Sequence, residues 1–344
     1  MDKQSPKILV AGAGAIGGIT AALLKREGYD VEIIAKYKEY TDLIMSKGLH
    51  VTGARGTFDQ PMKAWTEACP EMGMKDIILL ATKATDVIES CKSVLPYLKE
   101  DGLIVSLQNG ICEDDIAEIT GRKRLVGCVV AWGGTMDRQG DLFMSSEGEF
   151  IIGYTDRGPD SDLEFLADML SVIVPVKQSD NIIGHLYSKM IVNSCITCLG
   201  AISGLHLGQM LKRRKFRKIF IAIMREAMAV ADKMKIKVEK FGGKVDFYGV
   251  AQDTGFIAEF RRHLLIRIIG FKYRKLKSSS LQSLERGKPT EIDFFNGYIL
   301  KNADKYGVDA PVNAIIVKMI HEIESGKRKI SLENFSDPSF DLFD

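Results

Sequence analysis

Apolar positions along this chain fall into two regimes. In the first half they come as short runs, unbroken at residues 8–11 (Ile-Leu-Val-Ala) and 77–81 (Ile-Ile-Leu-Leu-Ala) and interrupted only by Ser106 at 103–107 (Leu-Ile-Val-Ser-Leu). Runs this short and without polar alternation predict parallel strands covered on both faces. Residues 31–35 predict another strand. Between them Ile16, Ile19, Ala22 and Leu23 keep a helical period, which Gly28 closes. Residues 126–131, 142–145 and 150–152 are strand-like, separated by Gly133-Gly134 and Gln139-Gly140, and are expected to complete or extend the same sheet. A short strand near residues 173–176 finishes this part, with a boundary at about residue 180. From 182 to 325 the pattern turns to long helices, interrupted at Gly242-Gly243, at Gly287 to Pro289 and at Gly307. The fold class expected is α/β: a doubly wound sheet in residues 1–180, then a mainly α-helical domain in 181–330. The tail 331–344 is polar and expected to be partly disordered.

The first strand runs into Gly12-Ala13-Gly14-Ala15-Ile16-Gly17, so strand, glycine turn and helix follow one another as a Rossmann-type dinucleotide site requires. Gly12 permits the tight turn, and Gly14 lets a pyrophosphate approach the backbone. Gly17 lets helix and strand pack closely, while the helix N-terminus offers unpaired N–H groups to the phosphates. An NAD-specific site places a carboxylate about twenty residues further on, for the ribose 2′-hydroxyl. This chain has Lys36 there, with Lys38 nearby, and two cations favour the 2′-phosphate of NADP(H). Ligands of such sheets bind outside the carboxyl ends of the strands, where Lys83 and Asn109 fall; both are also ordinary turn residues.

Composition adds bounds. A length of 344 residues, 46% hydrophobic and 27% charged, suits two globular domains, and a formal charge of +2 gives no support for a nucleic-acid partner. No segment is expected to span a bilayer. The first strand starts too early to leave room for a secretory signal, so a cytoplasmic protein with six reduced cysteines is expected.

In the helical half, Lys189, Asn193 and Thr197 stand at i, i+4 and i+8, one face of an otherwise apolar helix. A lysine in such a setting tends to be paired or functional. Glu291 is the candidate carboxylate for it. Thr290 is expected to cap a helix whose Ile292, Phe295 and Ile299 face inward. Cys195 and Cys198 form a C-x-x-C pair inside the apolar helix, without a second cluster to complete a zinc site, and are expected to be buried side chains. Two basic clusters stand out. One, from Lys212 to Lys218, suits a solvated face. The other, from Arg261 to Lys275, accompanies Phe256, Phe260, Leu264 and Leu265 at helical spacing, giving a basic amphipathic helix that could meet a membrane surface, a partner or an acidic ligand, although most such runs are solvated faces and a membrane partner is not expected.

Taken together, the glycine turn, Thr82-Lys83-Ala84, Gln108-Asn109-Gly110, the stretch from Lys189 to Asn193, and Ser279 through Thr290-Glu291-Ile292-Asp293 to Asn296-Gly297 resemble the ketopantoate reductase (2-dehydropantoate 2-reductase) family. The order and approximate separations agree over nearly the whole chain. The resemblance implies an NADPH-dependent reductase with a Rossmann domain and a helical domain, making pantoate for the pantothenate and coenzyme A route, and a homodimer is a possible assembly. It implies that Lys36 and Lys83 serve the cofactor and that Asn109 sits near nicotinamide and substrate. Lys189 would be the general acid, Asn193 and Ser279 would hold the substrate, and Glu291 would contact its hydroxyl. The chain departs from the family pattern in having Thr197, also expected to line the substrate, where members can carry Asn, and Ser283 where Asp is frequent; residues 240–275 are longer and more basic. Two alternatives therefore stay open: a related NADP(H)-dependent reductase of another 2-oxo acid, and a non-catalytic NADP(H)-sensing protein.

Overall fold

The computed structural model describes residues 4–252 and 255–343. Its strands, in chain order, are β1 (Lys7–Ala11), β2 (Asp30–Ile34), β3 (Leu49–Gly53), β4 (Phe58–Gln60), β5 (Lys63–Trp65), β6 (Lys75–Leu80), β7 (Leu98–Ser106), β8 (Leu125–Val130), β9 (Gly133–Arg138), β10 (Asp141–Ser146), β11 (Phe150–Tyr154) and β12 (Val176–Gln178). The helices are α1 (Ala15–Arg26), α2 (Lys38–Lys47), α3 (Val87–Val94), α4 (Glu113–Thr120), α5 (Ser161–Ser171), α6 (Ile182–Ser203), α7 (Leu207–Lys212), α8 (Arg214–Lys233), α9 (Phe247–Gln252), α10 (Phe256–Lys272), α11 (Ser279–Glu285), α12 (Asn296–Tyr306) and α13 (Pro311–Glu324). The chain divides into two compact units, Met1–Leu186 and Tyr187–Asp344, so the division falls inside α6.

The first unit is built on an eight-stranded sheet of order β12-β11-β8-β7-β6-β1-β2-β5, parallel at every pairing except β8 with β11. The unalternating runs are its centre: Ile8, Val10, Ile77, Leu79, Ile104 and Val105 are all fully buried. Two charged residues at the start of β6 are buried as well, and each is paired. Lys75 reaches Glu32 at 2.7 Å, and Asp76 accepts from Lys99 at 2.8 Å. α1 ends as expected, with Gly28 at φ +93° and the Tyr29 N–H returning to the Leu24 carbonyl at 3.2 Å.

Residues 142–145 do not extend this sheet. They form β10 of a separate four-stranded sheet, order β4-β3-β10-β9, in which β10 pairs in parallel with β3 some ninety residues earlier. The burial of β10 alternates, so only Leu142 and Met144 face inward, and Leu142 packs against Gly18 of α1.

The second unit is helical, as expected, and its described residues hold only the short bridge between Phe241 and Val245 as extended pairing. By length and composition α6 is apolar enough to cross a membrane, contrary to expectation, yet 67% of that stretch is buried inside the protein. Thr290 does not cap an α-helix. Its hydroxyl accepts from the Ile292 N–H at 3.3 Å at the head of a 3₁₀ turn, Ile292–Phe294, and α12 starts only at Asn296. Ile292, Phe295 and Ile299 nonetheless face inward. The tail also differs from expectation: it forms two 3₁₀ turns that bury Phe335 and Phe340.

Candidate functional site

In the large sheet the chain leaves β1 for β2 and β5 on one side, and returns through β6, β7 and β8 on the other. The switch point therefore lies between β1 and β6, and it is outside the carboxyl ends at such a point that α/β sheets bind ligands. Parallel register brings the ends together: Ala11 stands opposite Ile34 and Leu80, and Leu80 opposite Ser106. The glycine turn, Lys36, Lys83 and Asn109 follow these four ends, so all the expected cofactor residues lie at the carboxyl end of the sheet.

The turn has the shape of a phosphate cradle. A Cβ on Gly17 would stand 2.0 Å from the Gly12 carbonyl oxygen, and one on Gly12, at φ +118°, would stand 2.7 Å from the Ala81 carbonyl carbon. A Cβ on Gly14 would meet nothing within 4 Å. The open side of the turn is thus at Gly14, which is also the N-cap of α1; no side chain caps the helix and no carboxylate stands in its first turn. The N–H groups there are left for an anion. Beside the turn the Thr82 hydroxyl is buried without a hydrogen-bond partner, as a group awaiting a ligand would be. The Tyr40 hydroxyl donates to the Ala13 carbonyl at 2.8 Å and fixes the loop from behind. These features fit a dinucleotide.

Beyond β2, Lys36 is exposed and Lys38 is committed to Asp42 at 2.7 Å. The carboxylate of Glu32, earlier in β2, is engaged by Lys63, Lys75 and the Trp65 indole at 2.7 to 2.9 Å. Burial pushes that carboxyl up, but the three donors outweigh it and hold its pKa below the ordinary value.

Asn109 is half-buried, and the residue before it carries a network not anticipated from the sequence. The Gln108 amide donates to the carbonyls of Leu80 and Thr82 at 3.0 and 3.1 Å, tying the end of β7 to the end of β6. Its oxygen lies 2.9 Å from the Ser106 hydroxyl, which also lies 2.8 Å from the Glu113 carboxyl. Glu113 is fully buried, and burial, opposed by hydrogen bonds from Ser106 and the Glu113 and Cys112 N–H groups, raises its pKa to about 7. A protonated Glu113 donates to Ser106, freeing the serine proton for Gln108; an ionised one takes that proton itself. The only signal in the sequence is a carboxylate seven residues after a strand-end serine.

In the second unit, α6 presents Lys189 and Asn193 half-buried and Thr197 buried. The Thr197 hydroxyl donates to the Asn193 carbonyl at 2.7 Å, so it faces any ligand only as an acceptor. Two other elements are fastened to α6. Gly200 is packed so closely on Ser278 that a Cβ would lie 2.7 Å from its hydroxyl, and Ser278 caps α11 through the Leu281 N–H at 3.2 Å. Ser279, next in line, is exposed at the head of that helix. The Cys198 thiol donates to Asn296 at 2.8 Å, and Asn296 donates to Asn313 at 2.8 Å, which fixes the start of α12. Glu291 is half-buried at the head of the preceding 3₁₀ turn, next to Thr290, whose N–H and hydroxyl both donate to Glu324 at 2.8 and 2.7 Å. Lys189, Asn193 and Thr197 thus lie on α6 itself, Ser279 heads a helix seated on α6, and Glu291 heads a turn that is held through Thr290 by α13 and leads into α12. Cys195 and Cys198 are buried as expected; burial pushes both thiols up, Cys198 to about 12.

Fold and glycine turn together define a two-unit protein of the Rossmann dinucleotide-binding class. Its particular family follows from comparison with known proteins. Residues 8–157 match the model of ketopantoate reductase PanE/ApbA, and residues 181–324 match the model of the C-terminal domain of the same family. The 2-dehydropantoate 2-reductase of Pyrococcus abyssi is 30% identical over 91% of this chain and 96% of its own, and that of Archaeoglobus fulgidus 28% over 93% and 98%. The crystal structure of a PanE/ApbA family ketopantoate reductase from Ralstonia eutropha superposes with a TM-score of 0.80 at 27% identity, covering 93% of this chain and 99% of that one. A D-mandelate dehydrogenase solved with NADH and anilino(oxo)acetate shares the fold, with a TM-score of 0.81 at 24% identity over 93% and 99%. The chain belongs to the ketopantoate reductase PanE/ApbA family.

Proposed function

We propose that this protein reduces ketopantoate to pantoate with NADPH. The observation that carries the reading is that Lys189 and Asn193 stand half-buried on α6, with Glu291 half-buried in the same helical unit, in a chain whose glycine turn is open at Gly14. A bound reduced nicotinamide supplies a hydride to the carbonyl carbon. As negative charge develops on the carbonyl oxygen, the Lys189 ammonium stabilises it and donates the proton that completes the alcohol. Asn193 and Ser279 hold the substrate, Thr197 offers it an acceptor, and Glu291 contacts its hydroxyl. Asn109 serves nicotinamide and substrate, and Lys83 the cofactor. Lys36 receives the 2′-phosphate, and the engagement of Glu32 by three donors leaves that carboxylate unsuited to bind a ribose hydroxyl.

Thr197 in place of an asparagine favours a second reading, a reductase of another 2-oxo acid. NADPH oxidation with ketopantoate and a panel of 2-oxo acids separates the two. Ketopantoate is expected to be preferred, and Lys189→Ala to lower kcat by about a hundredfold or more. Lys36→Glu is expected to weaken NADPH binding while sparing NADH; equal losses for both remove the 2′-phosphate assignment. Preference for another acid moves the substrate, whereas NADPH binding without any turnover sinks the enzymatic reading in favour of a sensor.

A further inference from the structure

α10 leaves an apolar stripe on its outer side as well as burying one face. Its inner face carries Arg262, buried to 5% exposure, with Ile266 and Gly270. Gly270 is pressed on Leu211 of α7, where a Cβ would stand 2.6 Å away, and Gly208 is pressed on the Arg274 backbone at 2.7 Å. That close seating fixes which side is left outside. The outer side is a stripe of Phe260, Leu264, Ile268 and Phe271, spaced i, i+4, i+8 and i+11, with exposures of 63%, 47%, 56% and 72%. Tyr273 and Leu276 continue it, each about half exposed. Soluble surfaces rarely leave so many large apolar side chains contiguous without a partner.

The charge around the stripe selects the partner. Between residues 256 and 277 the sequence sets one carboxylate, Glu259, against its many cations, and the groove along Leu264 and Ile268 adds Asp246 beside Lys244, Arg261 and Arg262, although the whole chain has a formal charge of only +2. Arg261 and Lys272 flank the stripe on one side and Arg267 on the other. On the Arg267 side opens a cavity of about 740 Å³ whose lining includes Lys212, Arg267, Arg274 and Lys275 and no carboxylate. Phe271 borders both the cavity and the stripe. A second copy of this chain would set one cationic face against another, and an uncharged apolar partner would leave the cations without counter-charge. A surface that offers phosphate oxygens at one level and hydrocarbon just beneath satisfies both halves of the pattern.

We propose that the outer face of α10, with the turn that follows it, docks this protein on a bilayer carrying anionic phospholipid. Phe260, Ile268 and Phe271 enter the boundary between headgroups and acyl chains, and Arg267, Arg274 and Lys275 engage lipid phosphates. The docking is peripheral and reversible, because one helix face buries little area and the attraction is screened by salt.

The test is co-sedimentation of the full chain with phosphatidylcholine vesicles prepared with and without phosphatidylglycerol. Pelleting is expected only with the anionic vesicles and is expected to fall as salt rises. The Arg267→Gln, Lys275→Gln pair is expected to weaken partitioning on the order of 30-fold. Phe260→Ser with Phe271→Ser is expected to weaken it about tenfold or more at an unchanged thermal transition, since both side chains are exposed. Failure to pellet with anionic vesicles overturns the proposal, as does pelleting that survives loss of both phenylalanines. Inorganic phosphate that abolishes pelleting at matched ionic strength reassigns the cavity to a free phosphate compound and overturns it too. Sedimentation velocity without lipid closes the remaining route: a dimer that Phe260→Ser with Phe271→Ser dissociates gives the face to a second copy.

Discussion

Gly12, Gly14 and Gly17 are one motif in the sequence and three different constraints in the molecule. Gly17 has no room for a side chain because the Gly12 carbonyl oxygen occupies the place, 2.0 Å from where a Cβ would stand. Gly12 needs both its positive φ and its contact with the end of β6. Gly14 has free space, so nothing in the folded protein requires a glycine there; only a ligand approaching the backbone does. The two ends of the motif should therefore separate experimentally. Gly17→Ala is expected to cost about 2 to 3 kcal/mol of stability by forcing helix and turn apart, and to lose cofactor binding with it. Gly14→Ala is expected to leave stability within about 0.5 kcal/mol and still weaken NADPH binding. Urea unfolding beside cofactor titration measures both, and a Gly14→Ala protein that binds NADPH normally shows that the phosphates do not approach there.

Elements show where the sequence was legible. Strands β1, β6, β7 and β8 could be read because a parallel strand covered on both faces leaves an unalternating apolar run, which is a local property. The four-stranded sheet could not, because β3 and β10 find each other across a large separation and a period of two does not say which sheet a strand joins. The start of α12 was misplaced for a similar reason: Asn296 is fixed by Cys198 and Asn313, partners invisible in the local pattern. The glycine turn and the Lys189 face were legible, the first through strand–turn–helix context and the second through helical spacing. Glu113 was not, since Glu113-Asp114-Asp115 at a helix start looks like three solvated carboxylates, of which only the first lies buried beneath Ser106. Its raised pKa, about 7 against an ordinary 4.5, has a definite sign. The folded state holds the proton more tightly than the unfolded chain, so the group's contribution to stability is full below about pH 4.5 and is lost as pH rises through about 7. Over that window the loss amounts to roughly 3 kcal/mol, and Glu113→Gln, which cannot ionise, is expected to escape it. Urea unfolding at acid and mildly alkaline pH should show the variant gaining on the parent as pH rises; equal pH dependence in both proteins rules out a buried, proton-holding Glu113.

At the scale of the whole chain, composition was a poor guide in two places. A formal charge of +2 conceals the cationic surface of α10, because averages erase segregation. The polar residues after Lys329 likewise conceal the part of the tail that matters. Phe335 packs on Phe216 of α8 with ring centroids 4.4 Å apart and planes tilted by 46°, and Phe340 packs on Phe335 at 5.1 Å and 32°. Asn334 donates to the Ile202 carbonyl at 3.1 Å, and the Ser331 N–H does the same at 3.1 Å, so the tail closes the last turn of α6, the helix that carries Lys189. Sparse aromatics in polar sequence give no periodic signal, and their burial depends on a surface supplied by α8 more than a hundred residues earlier. If the tail is a structural part of the second unit, then Phe340→Ala, which empties a fully buried site, should cost about 3 to 5 kcal/mol. Leu342→Ala, at 89% exposure, should change stability by less than about 0.5 kcal/mol. Chemical denaturation followed by tyrosine and tryptophan fluorescence and by circular dichroism compares the two directly. Equal and small effects from both substitutions would mean that the aromatic cluster adds nothing to the fold, and that α6 is held by the helices of its own unit alone.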